Sequence, residues 1–84
     1  MKHSIIFRAR CKREPRGENN LEGYIENDIY NCEAFRTKAG KVKVIIYIED
    51  VADAEKSLFT FRKFFEPIEE EKAKQIIEIE YYES

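Results

Sequence analysis

Positions 41–49 read KVKVIIYIE, the stretch that most restricts what this chain can fold into. Val42, Val44, Ile46 and Ile48 recur every second residue, so in an extended backbone they project from one side while Lys43, Ile45 and Tyr47 project from the other. A helix would scatter those four around its circumference, and side chains branched at Cβ favour the extended form. The same period runs through SIIFRARCK at 4–12, with Ile5, Phe7, Ala9 and Cys11 set against Ile6, Arg8, Arg10 and Lys12. YNCEAFRT at 30–37 reads as another strand. Only the short segment Lys38-Ala39-Gly40 separates it from KVKVIIYIE, which predicts a hairpin with Gly40 in the left-handed region.

After the loop REPRGENN, Leu21, Tyr24, Ile25 and Ile29 fall at helical spacing behind Asn19 or Asn20 as a cap. This predicts a helix, weakened at Gly23 by about 1 kcal/mol relative to alanine. Beyond the hairpin, Asp50 is placed to cap a second helix with Val51, Ala54, Leu58, Phe61, Phe65 and Ile68 along one stripe. Asp53 and Glu55 early and Arg62 and Lys63 late suit the dipole of such a helix, and Pro67 ends it near Phe65 or Glu66. The competing reading makes SLFTFRKFF a strand. In the tail KQIIEIEYY, Ile77, Ile79 and Tyr81 alternate with Ile76, Glu78, Glu80 and Tyr82, which predicts a last strand, although the preceding EEEKAK favours helix.

The resulting order predicts an α+β fold: a four-stranded antiparallel sheet with two helices on one face, the ferredoxin-like βαββαβ arrangement. The first and third strands are then central neighbours, with the last strand on the other side of the first. The alternative is a small, partly open β-barrel with a C-terminal helix. With 84 residues, the chain reads as one domain over 1–84 and buries about 60 to 65% of its unfolded surface. Apolar residues at 43% supply a core despite 38% charged residues, which argues against disorder.

No run reaches the roughly 18 apolar residues of a membrane span, and charges interrupt the N-terminus where a secretory leader has its apolar stretch. Two cysteines, Cys11 and Cys32, carry no CxxC spacing. These features predict a cytoplasmic protein with reduced thiols and no membrane partner.

The net charge of -2 conceals alternating blocks. Residues 1–16 sum to +5, residues 17–35 to -5, residues 36–43 to +4 and residues 66–84 to -5. With Ile5, Phe7, Ala9 and Cys11 facing the helices, the other side of the sheet presents Arg8, Arg10 and Lys12 beside Lys41, Lys43 and Tyr47, with Phe35 as a second ring. Cations and flat rings on an open sheet suit single-stranded RNA or DNA. Against that stand the pairing expected of Glu78 and Glu80 with Arg8 and Arg10 across strands, and the lack of an aromatic-rich RNP1 pattern. A second candidate surface lies on the C-terminal helix, where Phe59 is off the apolar stripe and Phe64 is at its border. With Tyr82 nearby, these aromatics suit a protein partner or self-association.

Catalytic chemistry finds little support. His3, the one histidine, sits at the chain end, and both cysteines fall on apolar strand faces where thiols are inert packing. No close-spaced ligand pair indicates a metal, no glycine-rich loop indicates a nucleotide, and no cofactor is expected. The expectation is a small non-enzymatic binding protein, a regulator or inhibitor that occupies a protein partner's surface. The alternative is a single-stranded nucleic-acid-binding module. Acidic stretches at 18–28 and 66–80 also suit a basic partner, by imitating phosphate charge.

Overall fold

Alternation in the first strand and in KVKVIIYIE is realised as read. The computed structural model describes residues 4–81. Strands β1 (Ser4–Cys11), β2 (Ile29–Arg36), β3 (Val42–Ile48) and β4 (Val51–Ser57) form an antiparallel meander, followed by helix α1 (Leu58–Phe64), the short strand β5 (Phe65–Pro67) and helix α2 (Glu70–Tyr81). The strand order is β4-β3-β2-β1-β5, an open five-stranded sheet. Phe7, Ala9 and Cys11 of β1, Cys32 and Ala34 of β2, and Val42, Val44 and Ile46 of β3 are buried on one face. Leu58, Phe61 and Phe64 of α1 and Ile76 of α2 close over that face.

The small α+β architecture and its open antiparallel sheet agree with expectation, whereas the four-stranded ferredoxin-like order does not appear. The first and third strands are not neighbours, because β2 lies between them. Nor does the sheet curl into a barrel: β4 and β5 remain its two edges.

Three local readings change, each for a physical reason. The expected helix over 21–29 is absent; one 3-10 turn, Glu18–Asn20, is the only helical piece between β1 and β2. Asn19, Asn20, Gly23 and Asn27 all take positive φ, the conformation that Asn and Gly tolerate best, so the backbone turns repeatedly. Leu21 and Tyr24 are buried nonetheless, as anchors of an irregular loop.

Asp50 caps no helix. With Glu49 it forms a two-residue turn between Ile48 and Val51, both at positive φ, and this primed turn sends the chain straight back along β3. Glu-Asp is not the usual Asn-Gly signal for such a turn, and the helical stripe from Val51 onward is coincidental as far as Ser57. Helix begins only there, where Ser57 Oγ accepts a hydrogen bond from Thr60 N at 3.2 Å. SLFTFRKFF is thus helix rather than strand over Leu58–Phe64.

The tail is helix, not strand. Ile76 is buried and Ile79 packs against the core at a spacing of three, so the same isoleucines satisfy a helical period. Helix-favouring residues precede them, and Glu70 and Glu71 complement the N-terminal dipole. The place beside β1 is taken by Phe65–Pro67, where Pro67 is tolerated on an edge. His3 and Tyr82 lie outside the described residues.

Aromatic packing joins these pieces. Phe61 meets Phe7 edge-on at 5.7 Å and stacks on Phe65 at 5.3 Å, while Tyr24 contacts Phe65 edge-on at 5.4 Å. Phe61→Ala removes the ring shared by sheet, helix and edge strand. It is expected to cost about 3–5 kcal/mol, measured as a lower urea midpoint at unchanged slope.

Candidate functional site

Among the described residues no helix covers the outer face of the sheet. Reading across cross-strand partners, one row runs Ile6, Glu33, Ile45, Glu55 and the next runs Arg8, Asn31, Tyr47, Ala52. Phe35 and Lys43 flank the first row, and Ile29 and Arg10 flank the second. Ile6 is 69% exposed and Ile29 50% exposed, while Phe35, Ile45 and Tyr47 are half-buried by their neighbours. A solvated sheet face ordinarily alternates to polar residues, so an outward Ile45 and Tyr47 leave β3 apolar on both sides.

The charged groups on this side are largely committed to one another. Arg10 donates from Nε at 3.0 Å and Nη2 at 2.5 Å to Glu66 Oε2, and from Nη1 at 2.6 Å to Asn27 Oδ1. Arg8 lies 3.8 Å from Glu69, and Lys43 lies 3.7 Å from Glu55. Glu33 accepts a hydrogen bond from the Tyr47 hydroxyl at 3.1 Å, and that bond raises the Tyr47 pKa, with a smaller contribution from desolvation. Glu78 and Glu80 are not the partners of Arg8 and Arg10, because they belong to α2; Glu80 instead pairs with Arg62 at 3.2 Å.

Lys12 leaves the expected basic face. Its Nζ donates at 2.7 Å to the carbonyl of Arg62, and its backbone N–H donates at 2.6 Å to that of Phe64. Arg13 Nε reaches the Lys63 carbonyl at 3.4 Å. Lys12 and Arg13 therefore satisfy carbonyls at the end of α1, where positive charge is also favoured by the helix dipole. Lys41 is exposed in the β2–β3 loop, and with β2 between β1 and β3 it does not extend a continuous basic strip.

Of the aromatic candidates on the helix, Phe59 is 74% exposed, with Lys63 Nζ 5.0 Å from its ring centre. Phe64 is fully buried, with the Arg13 guanidinium over its ring, because it continues the Leu58 and Phe61 stripe at a spacing of three; it is closed to a partner.

Both thiols are buried. Burial pushes the Cys32 thiol up to about 12 and raises that of Cys11, whose Sγ donates to the Arg13 carbonyl at 3.2 Å. A thiol held neutral in this way is a poor nucleophile. Among the described residues no group of three or more His, Cys, Asp and Glu side chains converges on a metal position, and no helix is long and apolar enough to cross a membrane.

The outward positions of Ile6, Arg8, Arg10, Lys43, Ile45, Tyr47 and Phe35 were legible from alternation. Missed were Glu33, which the same parity places outward, and Glu55 and Ile29, each assigned to a helical stretch that is not helix. Glu66 and Glu69 had no local signal at all, since they reach Arg10 and Arg8 only through the pairing of β5 with β1. No protein-family model, curated protein or solved structure matches this chain.

Two measurements follow from the pairings. A double-mutant cycle of Arg10→Ala with Glu66→Ala is expected to give a coupling of about 0.5–1 kcal/mol that shrinks in high salt. For Cys32, the folded pKa lies above its ordinary value of 9.0, so its contribution to stability is intact below that pH and is lost as pH rises toward about 12. Native protein at pH 8 should leave Cys32 unlabelled by a thiol reagent, and urea should expose it.

Proposed function

We propose that this protein is a non-enzymatic binding domain that acts by occupying the surface of a protein partner, and that the open sheet face makes the contact. One observation carries the reading: Ile6, Ile29, Ile45 and Tyr47 lie outward on three adjacent strands, and no helix among the described residues covers them. Apolar and aromatic groups interspersed with paired polar groups are the composition of a protein interface. Tyr47 is held by Glu33, so the ring is presented in one orientation at reduced entropic cost.

The rim supports a protein rather than a nucleic acid. Arg8, Arg10 and Lys43 each have a carboxylate within 4 Å, and Glu33 and Glu55 stand among them, so the face offers a phosphate chain little uncompensated charge. Mixed signs instead select a partner whose own rim alternates in charge. Occupying such a face on a partner is how a small domain regulates or inhibits without chemistry.

A photo-cross-linking residue replacing Tyr47, in cells that make the protein, should yield one discrete protein adduct. The same group at Lys74, on exposed α2, should not, and adding Ile45→Lys, whose charge falls between Glu33 and Glu55, should remove the adduct while leaving the thermal melt of the isolated domain nearly unchanged. Identical adducts from both positions, or none at position 47, would exclude the sheet face.

A further inference from the structure

On the side of the molecule away from the open face, α1 and α2 leave a groove of roughly 410 Å³ lined by Phe59, Arg62, Lys63 and Glu80. Sequence alternation put Lys12 on the sheet, yet Lys12 and Arg13 end beside the groove, hydrogen-bonded to the backbone carbonyls of Arg62 and Lys63, two of its lining residues. Four cations thus gather at the end of one short helix, in a chain whose net charge is -2. The carboxylate among them, Glu80, is spanned by Arg62 Nη1, which lies 3.2 and 3.3 Å from its two oxygens. Beside them Phe59 is the most exposed phenylalanine on the helix, with Lys63 over its ring.

We propose that this groove docks a short acidic segment of a partner protein, with an apolar side chain against Phe59 and carboxylates at Lys63, Lys12 and Arg13. The complementarity is of charge and of shape: a local positive surplus surrounds one apolar anchor, and Lys12 and Arg13 are already fixed by their carbonyl contacts, so little ordering remains to be done on binding. A single-stranded nucleic acid fits less well. It needs successive cations along a track and several stacking rings, whereas here the cations form one cluster with a single exposed ring on α1 and with Glu80 among them. Because the groove and the sheet face lie on opposite sides, one molecule can hold two partners at once.

The test is to pan a random-peptide display library against the full chain. Selected peptides are expected to combine two or more acidic residues with a large apolar one. Labelled copies should bind about tenfold more weakly to Phe59→Ala and to Lys63→Glu, and equally well to Ile45→Lys, which separates this groove from the sheet face. Phe59 and Lys63 are exposed, so both variants should retain the wild-type melting curve. The proposal is overturned if no peptide is enriched, if enriched peptides bind the variants undiminished, or if labelled oligodeoxythymidine binds instead and is lost in the same two variants.

Discussion

The stacked pair of Phe61 and Phe65, 5.3 Å apart and nearly parallel, is the contact on which the other elements depend. The two rings are one helical turn apart in sequence, but Phe61 is in α1 and Phe65 has already become strand. Phe61 reaches Phe7 on β1, and Phe65 reaches Tyr24 of the long loop and Tyr30 of β2. One apolar cluster therefore holds a helix, an edge strand, an irregular loop and the central strands in register. Such burial matters in a domain this small, where each fully buried aromatic contributes roughly 2–3 kcal/mol and few others can replace it.

From that cluster follows the fate of the basic N-terminal segment. Placing Phe65 beside Cys11 lays β5 along β1, which brings Glu66 opposite Arg10 and Glu69 beside Arg8. It also sets the end of α1 against the end of β1, so that Lys12 and Arg13 meet the carbonyls that a helix of seven residues cannot satisfy internally. The cationic side chains Arg8, Arg10, Lys12 and Arg13 of one strand and its extension are thereby divided between two structural tasks. Their charge is redistributed: largely neutralised on the sheet, and concentrated at the end of α1.

Two surfaces of opposite character result. The sheet face interleaves Ile6, Ile29, Ile45 and Tyr47 with paired charges and with Glu33 and Asn31 of its middle strand; the groove between the helices has one exposed ring and a surplus of cations. A helix over the sheet face would have hidden Ile45 and Tyr47, but both helices are needed on the other side to cover Phe7, Val44 and Ile46. A five-stranded sheet with only two short helices has one face left over, and here that face is only partly polar.

Sequence alone determined what depends on neighbours two residues away. Alternation set which side chains of β1 and β3 face inward, and Gly40 marked the β2–β3 turn, because side-chain period and backbone sterics are local properties. Alternation also placed Ile45, Tyr47, Arg8 and Arg10 on the outer face. Tertiary structure decided the rest. Val51–Ser57 fits a helical stripe as well as a strand, and pairing with β3 through the Glu49-Asp50 turn settles it. The isoleucines of the tail fit either period, and β5 beside β1 leaves them to form a helix. Strand order, and with it the carboxylate each arginine meets, is a matter of contacts between residues some sixty positions apart, such as Arg8 and Glu69, which no local pattern encodes.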